Sequence, residues 1–476
     1  MRDQTAQHST PQVAIIGGGL TGLSLASKLD MMGIPFLLLE KSQHLGGQIK
    51  TIKEKGYTYE VGPNTGTIST PEVAELFEYA APEAEVAVAR SAANARWIWK
   101  GDRFHPIPNG IWSGLTTPLY NWRDKLGIPF EPFRKKGSDP NESVGALAER
   151  RLGKSIVDYT IDPFIGGIYA GDPYQIVTRL AMPKLYNLEQ KYGSFIGGAI
   201  KKMREPKSER DKKATKAIFN ARGGLSCFVE ALANKITKSG DVLLGVEEIK
   251  IVPLSDHPSR GFRLSYLHQG QRVELEVPFV VSTVRADQMP SLFSSDLQHR
   301  FHRIVRLPYA PITEVCVGFD HLPDIPRAAF GALIPSREKR KILGILFPSS
   351  CFADRTPYPD GALFTIFMGG LRNKELVTEY SLEEQTRMAL DELYTMMRIP
   401  TDLQPSLLHT EPHAKAIPQY GFEAEEIQKD IKELESTFPG LYLAGGARDG
   451  IGMAHRITQG MTIGADIHHK MTTRLC

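Results

Sequence analysis

The sequence has few cysteines and no long apolar run. Its four cysteines, Cys227, Cys316, Cys351 and Cys476, lie far apart, and none of them forms a CxxC pair. A disulfide scaffold and a cysteine-rich zinc site are therefore not expected, and a reducing compartment is the simpler environment. No stretch of about 18 apolar residues occurs, which argues against a transmembrane helix but not against peripheral attachment to a membrane.

The sequence also lacks a strong excess of charge. It contains 57 Lys and Arg residues against 54 Asp and Glu residues, a net charge of +3. So small an excess does not support nucleic-acid binding, and it is compatible with an anionic small molecule or an anionic membrane surface. The first residues are polar and contain no apolar segment, so we expect no secretory signal and a cytoplasmic location, with attachment to the inner face of the cell membrane left open.

The N-terminal region alternates short apolar runs with glycine. A β-branched run at 13–16 precedes GGGLTG at 17–22, apolar residues follow at helical spacing over 23–29, and a second apolar run at 36–39 ends at Glu40. This order of strand, GxGxxG turn, helix, strand and acid is typical of a dinucleotide-binding unit. An ordinary tight turn between a strand and a helix would account for only one of the glycines.

Each part of this pattern has its own physical role. Gly17 permits the tight turn, Gly19 lets the backbone approach a pyrophosphate, and Gly22 lets the helix and the strand pack closely. The helix N-terminus offers free N–H groups and partial positive charge to phosphates. Glu40 lies 18 residues after Gly22, where an acid accepts hydrogen bonds from ribose hydroxyls.

Two further glycine-rich turns favour FAD over NAD. Residues 45–47 read Leu-Gly-Gly, and residues 62–65 read Gly-Pro-Asn-Thr. Turns of this kind suit backbone that packs along an extended cofactor. The first motif alone does not choose between the two dinucleotides, whereas the additional turns indicate FAD.

The C-terminal region carries a second unit of the same kind. A strand is predicted at 441–445, a glycine-rich turn at 450–452 and a helix over about 453–470. We expect the two ends of the chain to meet in one nucleotide-binding domain, with the other domains inserted between them. Helices are also predicted at 225–236 and 382–398 from their apolar spacing.

The predicted fold class is α/β with α+β insertions, divided into three domains. These are a Rossmann-like FAD-binding domain of discontinuous segments, a substrate-binding domain with a mixed sheet, and a helical domain that is a candidate for membrane association. Their predicted boundaries are, in that order, 11–90, 218–285 and 436–476; 91–108 and 286–435; and 109–217.

The segment 109–137 combines aromatic and basic residues. Its aromatic residues are Trp112, Tyr120, Trp122, Phe130 and Phe133. Two interpretations are equally supported by the sequence. The segment could form a membrane-interface surface, or its aromatics could fill the core of a helix-rich lobe.

Nearly the whole chain resembles the oxygen-dependent porphyrinogen oxidases, a family within the flavin amine-oxidase superfamily. The most specific features are GIYAGDP at 167–173, IPQY at 417–420 and the order of the motifs. The matching stretches are 17–24, 39–49, 61–65, 156–173, 187–200, 221–225, 308–312, 417–420 and 440–460. The resemblance implies an enzyme that carries out FAD-dependent, six-electron oxidation of protoporphyrinogen IX to protoporphyrin IX, in three two-electron steps.

The resemblance also implies non-covalent FAD and a set of residues that hold it. The first loop would hold the pyrophosphate, Glu40 the adenosine ribose and the backbone of Val246 the adenine. The loops after Glu40 and the C-terminal turn would line the ribityl chain, the pyrophosphate and the flavin ring. Gln48 departs from relatives, which often have a basic or aromatic residue there. The implied positions are Gly17, Gly18, Gly19, Leu20, Thr21, Gly22, Glu40, Lys41, Gly46, Gly47, Gln48, Gly62, Pro63, Asn64, Thr65, Val246, Gly445, Gly450, Ile451, Gly452 and Met453.

Substrate contacts follow from the resemblance in the same way. Arg96 matches an arginine that holds a propionate, and an arginine–carboxylate pair can be bidentate. Leu333, Leu346 and Phe367 match apolar positions that enclose the macrocycle, although composition alone would place them in the core. Gly167 lies in a predicted glycine-rich turn at 166–173 that would form a backbone wall of the pocket. Ala170 in this turn is glycine in some relatives.

No catalytic acid, base or metal ligand is nominated, because the cofactor carries the redox chemistry. The resemblance implies dioxygen as the electron acceptor, and a homodimer is also considered. Coproporphyrinogen III is the nearest alternative substrate, and it would require more cationic groups than Arg96 alone. Amine oxidation, carotenoid desaturation and a flavin-bound membrane scaffold remain further alternatives.

Overall fold

The structure is a computed structural model that describes residues 10–206, 208–254, 261–322 and 325–474. Cys476 lies outside the described residues. The other three cysteines, Cys227, Cys316 and Cys351, are free thiols.

The strands are short apart from two in the second half of the chain. They are β1 (Val13–Ile16), β2 (Phe36–Leu39), β3 (Thr51–Glu54), β4 (Tyr57–Glu60), β5 (Gly66–Thr67), β6 (Val86–Val88), β7 (Trp97–Lys100), β8 (Arg103–Pro106), β9 (Ile218–Ala221), β10 (Asp241–Leu243), β11 (Glu247–Pro253), β12 (Phe262–His268), β13 (Gln271–Val277), β14 (Phe279–Ser282), β15 (Tyr309–Phe319), β16 (Gly331–Leu333), β17 (Ile342–Leu346), β18 (Ala362–Gly369), β19 (Leu407–Pro418) and β20 (Leu441–Leu443).

The helices vary more in length. They are α1 (Leu20–Met31), α2 (Pro71–Ala80), α3 (Ile111–Thr116), α4 (Trp122–Gly127), α5 (Val144–Leu152), α6 (Lys154–Ile156), α7 (Asp162–Tyr169), α8 (Thr178–Ala181), α9 (Pro183–Tyr192), α10 (Phe195–Met203), α11 (Glu209–Lys212), α12 (Leu225–Ile236), α13 (Ser295–Gln298), α14 (Pro348–Cys351), α15 (Glu375–Thr378), α16 (Leu382–Met397), α17 (Ala424–Thr437) and α18 (Met453–Arg474).

A five-stranded parallel sheet joins the two ends of the chain. Its strand order is β10-β2-β1-β14-β20, so the first strand lies at the centre and the last strand at an edge. Strand β1 is the fully buried run VAII, which suits a parallel strand covered on both faces. Helices α1, α12 and α18 contribute to the core on one face of the sheet, and β12, β13 and α17 to the core on the other.

Helices α1 and α18 cross at small residues. A Cβ atom on Gly460 would lie 2.4 Å from the carbonyl oxygen of Thr21, so only glycine allows this approach. One turn further, a Cβ on Gly464 would lie 2.8 Å from Cγ of Lys28. The C-terminal helix therefore packs directly on the helix that follows the first glycine turn.

The second large sheet has seven strands. Its order is β19-β15-β18-β17-β16-β7-β8, and the pair β16–β7 is parallel, whereas the other pairs are antiparallel. The sheet is therefore mixed, as expected. Helix α16 covers one face through an apolar cluster that includes Ala389, Leu393 and Met396. The opposite face carries Phe367, Leu333 and Glu314.

The glycine-rich segment 166–173, predicted as a turn, is helical over 166–169 and leaves the helix over 170–173. Gly166 and Gly167 lie inside helix α7, and the chain leaves the helix only at Ala170. The Asp162 carboxylate anchors the start of this helix, because it accepts hydrogen bonds from Ser336 N–H (2.7 Å) and Oγ–H (3.0 Å) and so ties α7 to the second sheet. Ala170 has a left-handed φ of +51°, which costs an alanine about 1–2 kcal/mol and explains why glycine suits this position.

Helices α3 to α11 lie between β8 and β9 in the chain, and a buried ion cluster holds several of them together. Arg151 donates to the carboxylates of Glu131 (3.0 Å) and Glu189 (2.7 Å), and all three side chains are almost fully buried. Glu131 also accepts from Ser194 Oγ–H and from the N–H of Phe195. Among the described residues, no helix has both the length and the apolar character needed to cross a bilayer.

We expect Arg151→Met to destabilise the protein by about 3–5 kcal/mol, because the buried Glu131 carboxylate would lose its arginine, while Glu189 would be left with Arg150 as its counter-charge. Lys154→Met is the matched control, since Lys154 pairs with Asp158 at the surface and such pairs contribute about 0–1 kcal/mol. Urea unfolding followed by fluorescence measures both. A loss below about 1 kcal/mol for Arg151→Met would contradict the assigned role.

Candidate functional site

The first glycine turn is fixed by close backbone contacts. Gly17 has φ +105°, and its carbonyl oxygen accepts a hydrogen bond from Thr283 Oγ1–H (2.9 Å) at the end of β14. A Cβ on Gly22 would lie only 2.0 Å from the same carbonyl oxygen. The structure thus gives these two glycines the turn and packing roles expected from the sequence.

The N-terminus of α1 faces a second glycine loop. Gly19 is the N-cap of α1, and no side chain caps the helix there. The N–H of Gly46 donates to the carbonyl oxygen of Gly18 (2.8 Å), and a Cβ on Gly19 would contact only the Cα of Gly47, at 3.9 Å. The helix N-terminus is therefore approached by backbone alone, with space left beside Gly19.

Glu40 connects the end of β2 to this turn. Its Oε2 accepts from the N–H of Gly18 (2.6 Å), and its Oε1 accepts from the N–H and the Oγ–H of Ser42, each at 2.9 Å. Because a carboxylate has about four acceptor positions, capacity remains for ribose hydroxyls. The N–H of Val246 donates to the backbone carbonyl oxygen of Glu40 (3.0 Å). The predicted backbone contact of Val246 with adenine would therefore be made by the carbonyl group of Val246.

The remaining predicted cofactor positions shape the site through their backbone more than through their side chains. Leu20 and Thr21 are buried in the first turn of α1, whereas the side chains of Lys41 and Gln48 are exposed. A Cβ on Gly62 would lie 2.2 Å from the carbonyl oxygen of Gln48, so Gln48 shapes the loop through its backbone.

The C-terminal turn joins the site through hydrogen bonds. The N–H of Gly445 donates to Oε1 of Gln459 (2.7 Å), and the carbonyl oxygen of Gly450 accepts from Tyr420 O–H and from Arg456, each at 2.9 Å. Ile451 packs against the cluster around helix α7. Gly452 immediately precedes α18, whose first residue is Met453. The turn therefore connects the nucleotide sheet with the helical region.

The loop Gly62–Thr65 is held by a buried acid that the sequence analysis did not single out. Glu314 accepts from the N–H of Gly62 through Oε1 and from Nδ2–H of Asn64 through Oε2, each at 3.0 Å. Burial is the main cause that raises the pKa of Glu314 to about 8. One signal was available: Glu314 is the only charged residue in the apolar run Tyr309–Phe319.

The predicted apolar substrate residues share one face of the second sheet. Residues paired across strands point to the same side of a sheet, as do residues two apart on one strand. Leu346, two residues after Gly344, therefore shares the side of the row formed by Glu314, Phe367, Gly344, Leu333 and Ile98. Helix α7 packs on this face, since a Cβ on Gly167 would lie 2.4 Å from Cδ2 of Leu333.

Arg96 lies just before β7 at the edge of the same face. Its guanidinium is 5.4 Å from the ring centre of Phe330, and among the described residues no carboxylate lies within ion-pair distance of it. Phe330, which the sequence analysis also missed, lines a cavity together with Leu346, Asn64 and Thr65. The structure therefore brings the predicted cofactor loop and substrate residues to one place.

The observed residues fit FAD. The uncapped N-terminus of α1 beside open space suits a pyrophosphate, and Glu40 keeps acceptor capacity for a ribose. A side chain at Gly17 or Gly22 would collide with backbone or a neighbouring side chain. Of the described residues, none form a cluster of three or more metal-ligating side chains.

Comparison with known proteins agrees with this geometry. A model of the flavin containing amine oxidoreductase family matches residues 20–456. The chain belongs to this family. It is an FAD-dependent oxidoreductase, as the glycine loops and Glu40 indicated.

Curated relatives align with almost the full chain. The mitochondrial protoporphyrinogen oxidase of Nicotiana tabacum is 28% identical over 480 residues, which cover 95% of this chain and 94% of the relative. The protoporphyrinogen oxidase of Homo sapiens is 25% identical over 473 residues, covering 94% and 96% of the two chains.

Solved structures share the fold. A crystal structure of a proposed protoporphyrinogen oxidase from Exiguobacterium sp. 255-15 superposes with a TM-score of 0.78 at 23% identity and covers 97% of this chain and 100% of that chain. Cyclohexylamine oxidase from Brevibacterium oxydans superposes with a TM-score of 0.65 at 15% identity, covering 98% and 100%. The predicted α/β fold with a mixed sheet and helical insertions is confirmed.

We expect Gly19→Val to fold and to lose FAD. The backbone of Gly19 (φ −71°, ψ −179°) accepts any residue, and the new side chain would fill the space beside the helix N-terminus. The visible absorbance of the purified protein measures FAD retention, and its melting temperature measures whether the variant is folded. Gly114→Val in α3, where a Cβ meets nothing within 4 Å, is the control. A yellow Gly19→Val protein would refute the assigned pyrophosphate position.

Proposed function

We propose that this protein oxidises protoporphyrinogen IX to protoporphyrin IX. The relatives that align with nearly the whole chain carry the name of this activity. The observation that carries the proposal is the single sheet face on which Arg96, Leu333, Leu346 and Phe367 converge beside the Gly62–Thr65 loop.

The residues of this face suit a flat, apolar macrocycle with acidic side groups. Leu333, Leu346 and Phe367 offer apolar surface from neighbouring strands, which excludes water and fixes the plane of a ring. Arg96 offers a cation without a carboxylate partner among the described residues, and a propionate can accept two parallel hydrogen bonds from it. Positioning of this kind brings a reacting carbon to a fixed distance from the cofactor.

The glycine turn and Glu40 hold FAD in this proposal, and the Gly62–Thr65 loop lines its reactive end. Bound FAD supplies the two-electron acceptor for each hydride that leaves a meso carbon. The protein contributes orientation, desolvation and a path for protons. We further propose dioxygen as the final acceptor, which predicts hydrogen peroxide as a product.

Anaerobic flavin bleaching tests the proposed reaction without involving the final acceptor. The FAD-loaded protein is mixed with protoporphyrinogen IX in the absence of oxygen, and the oxidised flavin absorbance is followed. Rapid bleaching is expected. A flavin that stays oxidised would refute this substrate.

Coproporphyrinogen III is a second candidate, and one observation favours it. A second cavity, lined by Arg90, Arg222 and Arg355, shares Cys351, Phe352 and Arg355 with the first. Arg222 is paired with Glu85 (2.9 Å) and Arg355 with Glu60 (3.5 Å), so Arg90 is the cation that would add to Arg96 for a substrate with four propionates. Bleaching by coproporphyrinogen III at a higher rate than by protoporphyrinogen IX would favour this alternative.

We also propose that residues 109–137 contact a membrane surface from the cytoplasmic side. The side chains of Trp112, Trp122, Phe130 and Phe133 are 78%, 66%, 66% and 84% exposed, so they do not fill a core of their own. Only Tyr120 is held inside, by a hydrogen bond with Thr160 (2.6 Å). An apolar patch of this kind supports membrane contact, which would deliver a poorly soluble substrate or product.

We expect Arg96→Ala to raise KM for protoporphyrinogen IX by roughly 5- to 150-fold, equivalent to about 1–3 kcal/mol, because one charge-assisted contact is lost. Steady-state kinetics measure the change, and kcat should move little. Arg103→Ala serves as the control, because Arg103 is exposed and pairs with its neighbour Asp102. Unchanged KM for Arg96→Ala would remove the assigned role.

We expect the triple variant Trp112→Ser, Trp122→Ser, Phe130→Ser to keep its activity in detergent and to lose vesicle binding. Co-sedimentation with vesicles that contain anionic lipid measures binding. A control triple variant replaces Leu382, Leu408 and Phe422, which are about half exposed outside residues 109–137, with Ser. Equal vesicle binding by the first variant and the wild type would contradict the membrane proposal.

A further inference from the structure

The buried carboxyl of Glu314 lies between the two halves of the site. Its two oxygens accept from Gly62 and Asn64 in the cofactor loop. Its cross-strand neighbour on β18 is Phe367, one of the apolar substrate residues. The side chain is only 3% exposed, and no lysine or arginine neutralises it among the described residues. A lone buried acid is costly, so its position at this junction needs an explanation.

A second titratable side chain connects Glu314 to the surface. Nε2 of His413 on β19 lies 3.7 Å from Oε1 of Glu314, and this nitrogen is buried without a hydrogen-bond partner. The ring as a whole is half-buried. Glu411, the cross-strand neighbour of Glu314 on β19, is paired with His409 at 3.2 Å and with the exposed Lys50 at 3.8 Å. The spacing between Glu314 and His413 closes to a hydrogen bond by a shift of less than 1 Å.

The surrounding charges favour the neutral form of Glu314. Burial raises its pKa to about 8, the two hydrogen bonds from the loop oppose this shift, and nearby carboxylates add to it. Burial also lowers the pKa of His413, so its ring is neutral and can accept a proton. The titratable or charged groups that face Glu314 from the packed elements are Lys50, Glu60, Cys316, Glu411 and His413.

We propose that Glu314 and His413 form a proton-exchange pair that carries protons from the bound porphyrinogen to solvent. This inference rests on the proposed function. In each two-electron step a meso C–H bond breaks and its electron pair leaves as hydride to the bound flavin. A pyrrole N–H bond breaks and its electron pair stays on nitrogen, while the proton adds to the Glu314 carboxylate. The proton then passes to Nε2 of His413 and from there to water.

A purely structural role for Glu314 gives different expectations. A carboxyl that only holds the loop would affect FAD retention at every pH alike. A proton-exchanging carboxyl makes flavin reduction faster as pH rises through its pKa, because only the ionised form accepts a proton. The pH dependence therefore separates the two roles.

The first measurement does not involve turnover. The FAD-loaded protein, without substrate, is titrated while the infrared carbonyl band of protonated carboxyl groups is followed. The wild type is expected to lose a band near pH 8, and Glu314→Gln is expected to lack that band. Glu411→Gln is expected to keep the band and to shift its loss to lower pH, because one raising charge is removed. An identical titration of wild type and Glu314→Gln would overturn the assignment.

The second measurement is the anaerobic rate of flavin reduction by protoporphyrinogen IX as a function of pH. The wild-type rate should rise and level off above about pH 8. Glu314→Gln should lose the inflection and slow by about 100-fold or more, whereas Glu314→Asp should retain the inflection. His413→Asn should keep the infrared band but reduce flavin more slowly.

Two failures are distinguishable. A wild-type flavin that no porphyrinogen reduces overturns the proposed function and this inference with it. A wild-type flavin that is reduced, with the same inflection in Glu314→Gln, overturns only the proton-exchange pair. If Glu314→Gln does not retain FAD, the inflection in Glu314→Asp and its displacement in Glu411→Gln decide the question.

Discussion

Close approach of backbone to backbone around the first glycine turn is the constraint on which the rest of the site depends. Helix α1 lies so near β1 that a Cβ on Gly22 would meet the carbonyl oxygen of Gly17 at 2.0 Å. A second close approach, at Gly460, lets α18 pack on the first turns of α1, against the carbonyl oxygen of Thr21. Because no side chain caps the N-terminus of α1, the charge of a pyrophosphate bound there would compensate the free N–H groups.

The second sheet adds what the nucleotide unit lacks. One face is filled by α16, and the other presents apolar side chains, one arginine at its edge and one buried acid. Helix α7 closes over this face because Asp162 is tied to Ser336, which sets Gly167 against Leu333. Dinucleotide-binding folds of this kind serve many different reactions. Here the covered sheet face adds a pocket that suits one class of ligand.

Local pattern sufficed for much of the fold but not for the whole site. Apolar spacing predicted α12 at its observed bounds and α16 to within one residue, and glycine spacing located the first turn. The second half of α7 was predicted as a turn because its glycines favour turns locally, whereas the contact of Asp162 with Ser336, which anchors this helix, joins residues far apart in the sequence. Glu314 and Phe330 were missed because their roles depend on which sheet face meets the cofactor loop. Exposure of Trp112 and Phe133 likewise depends on what other elements leave uncovered, which no local spacing encodes. The domain boundaries and the individual cofactor and substrate contacts stay predictions.

The position of β20 has a consequence for how the chain reaches its folded state. This strand pairs with β14, and α18 packs on α1, although more than four hundred residues separate the two helices. During synthesis β1 and α1 emerge first, yet they remain without their final neighbours until the last helix leaves the ribosome. Contacts of such long sequence separation fold slowly and leave apolar surface exposed in the meantime. Early FAD capture or chaperone binding would protect the nascent chain during this interval.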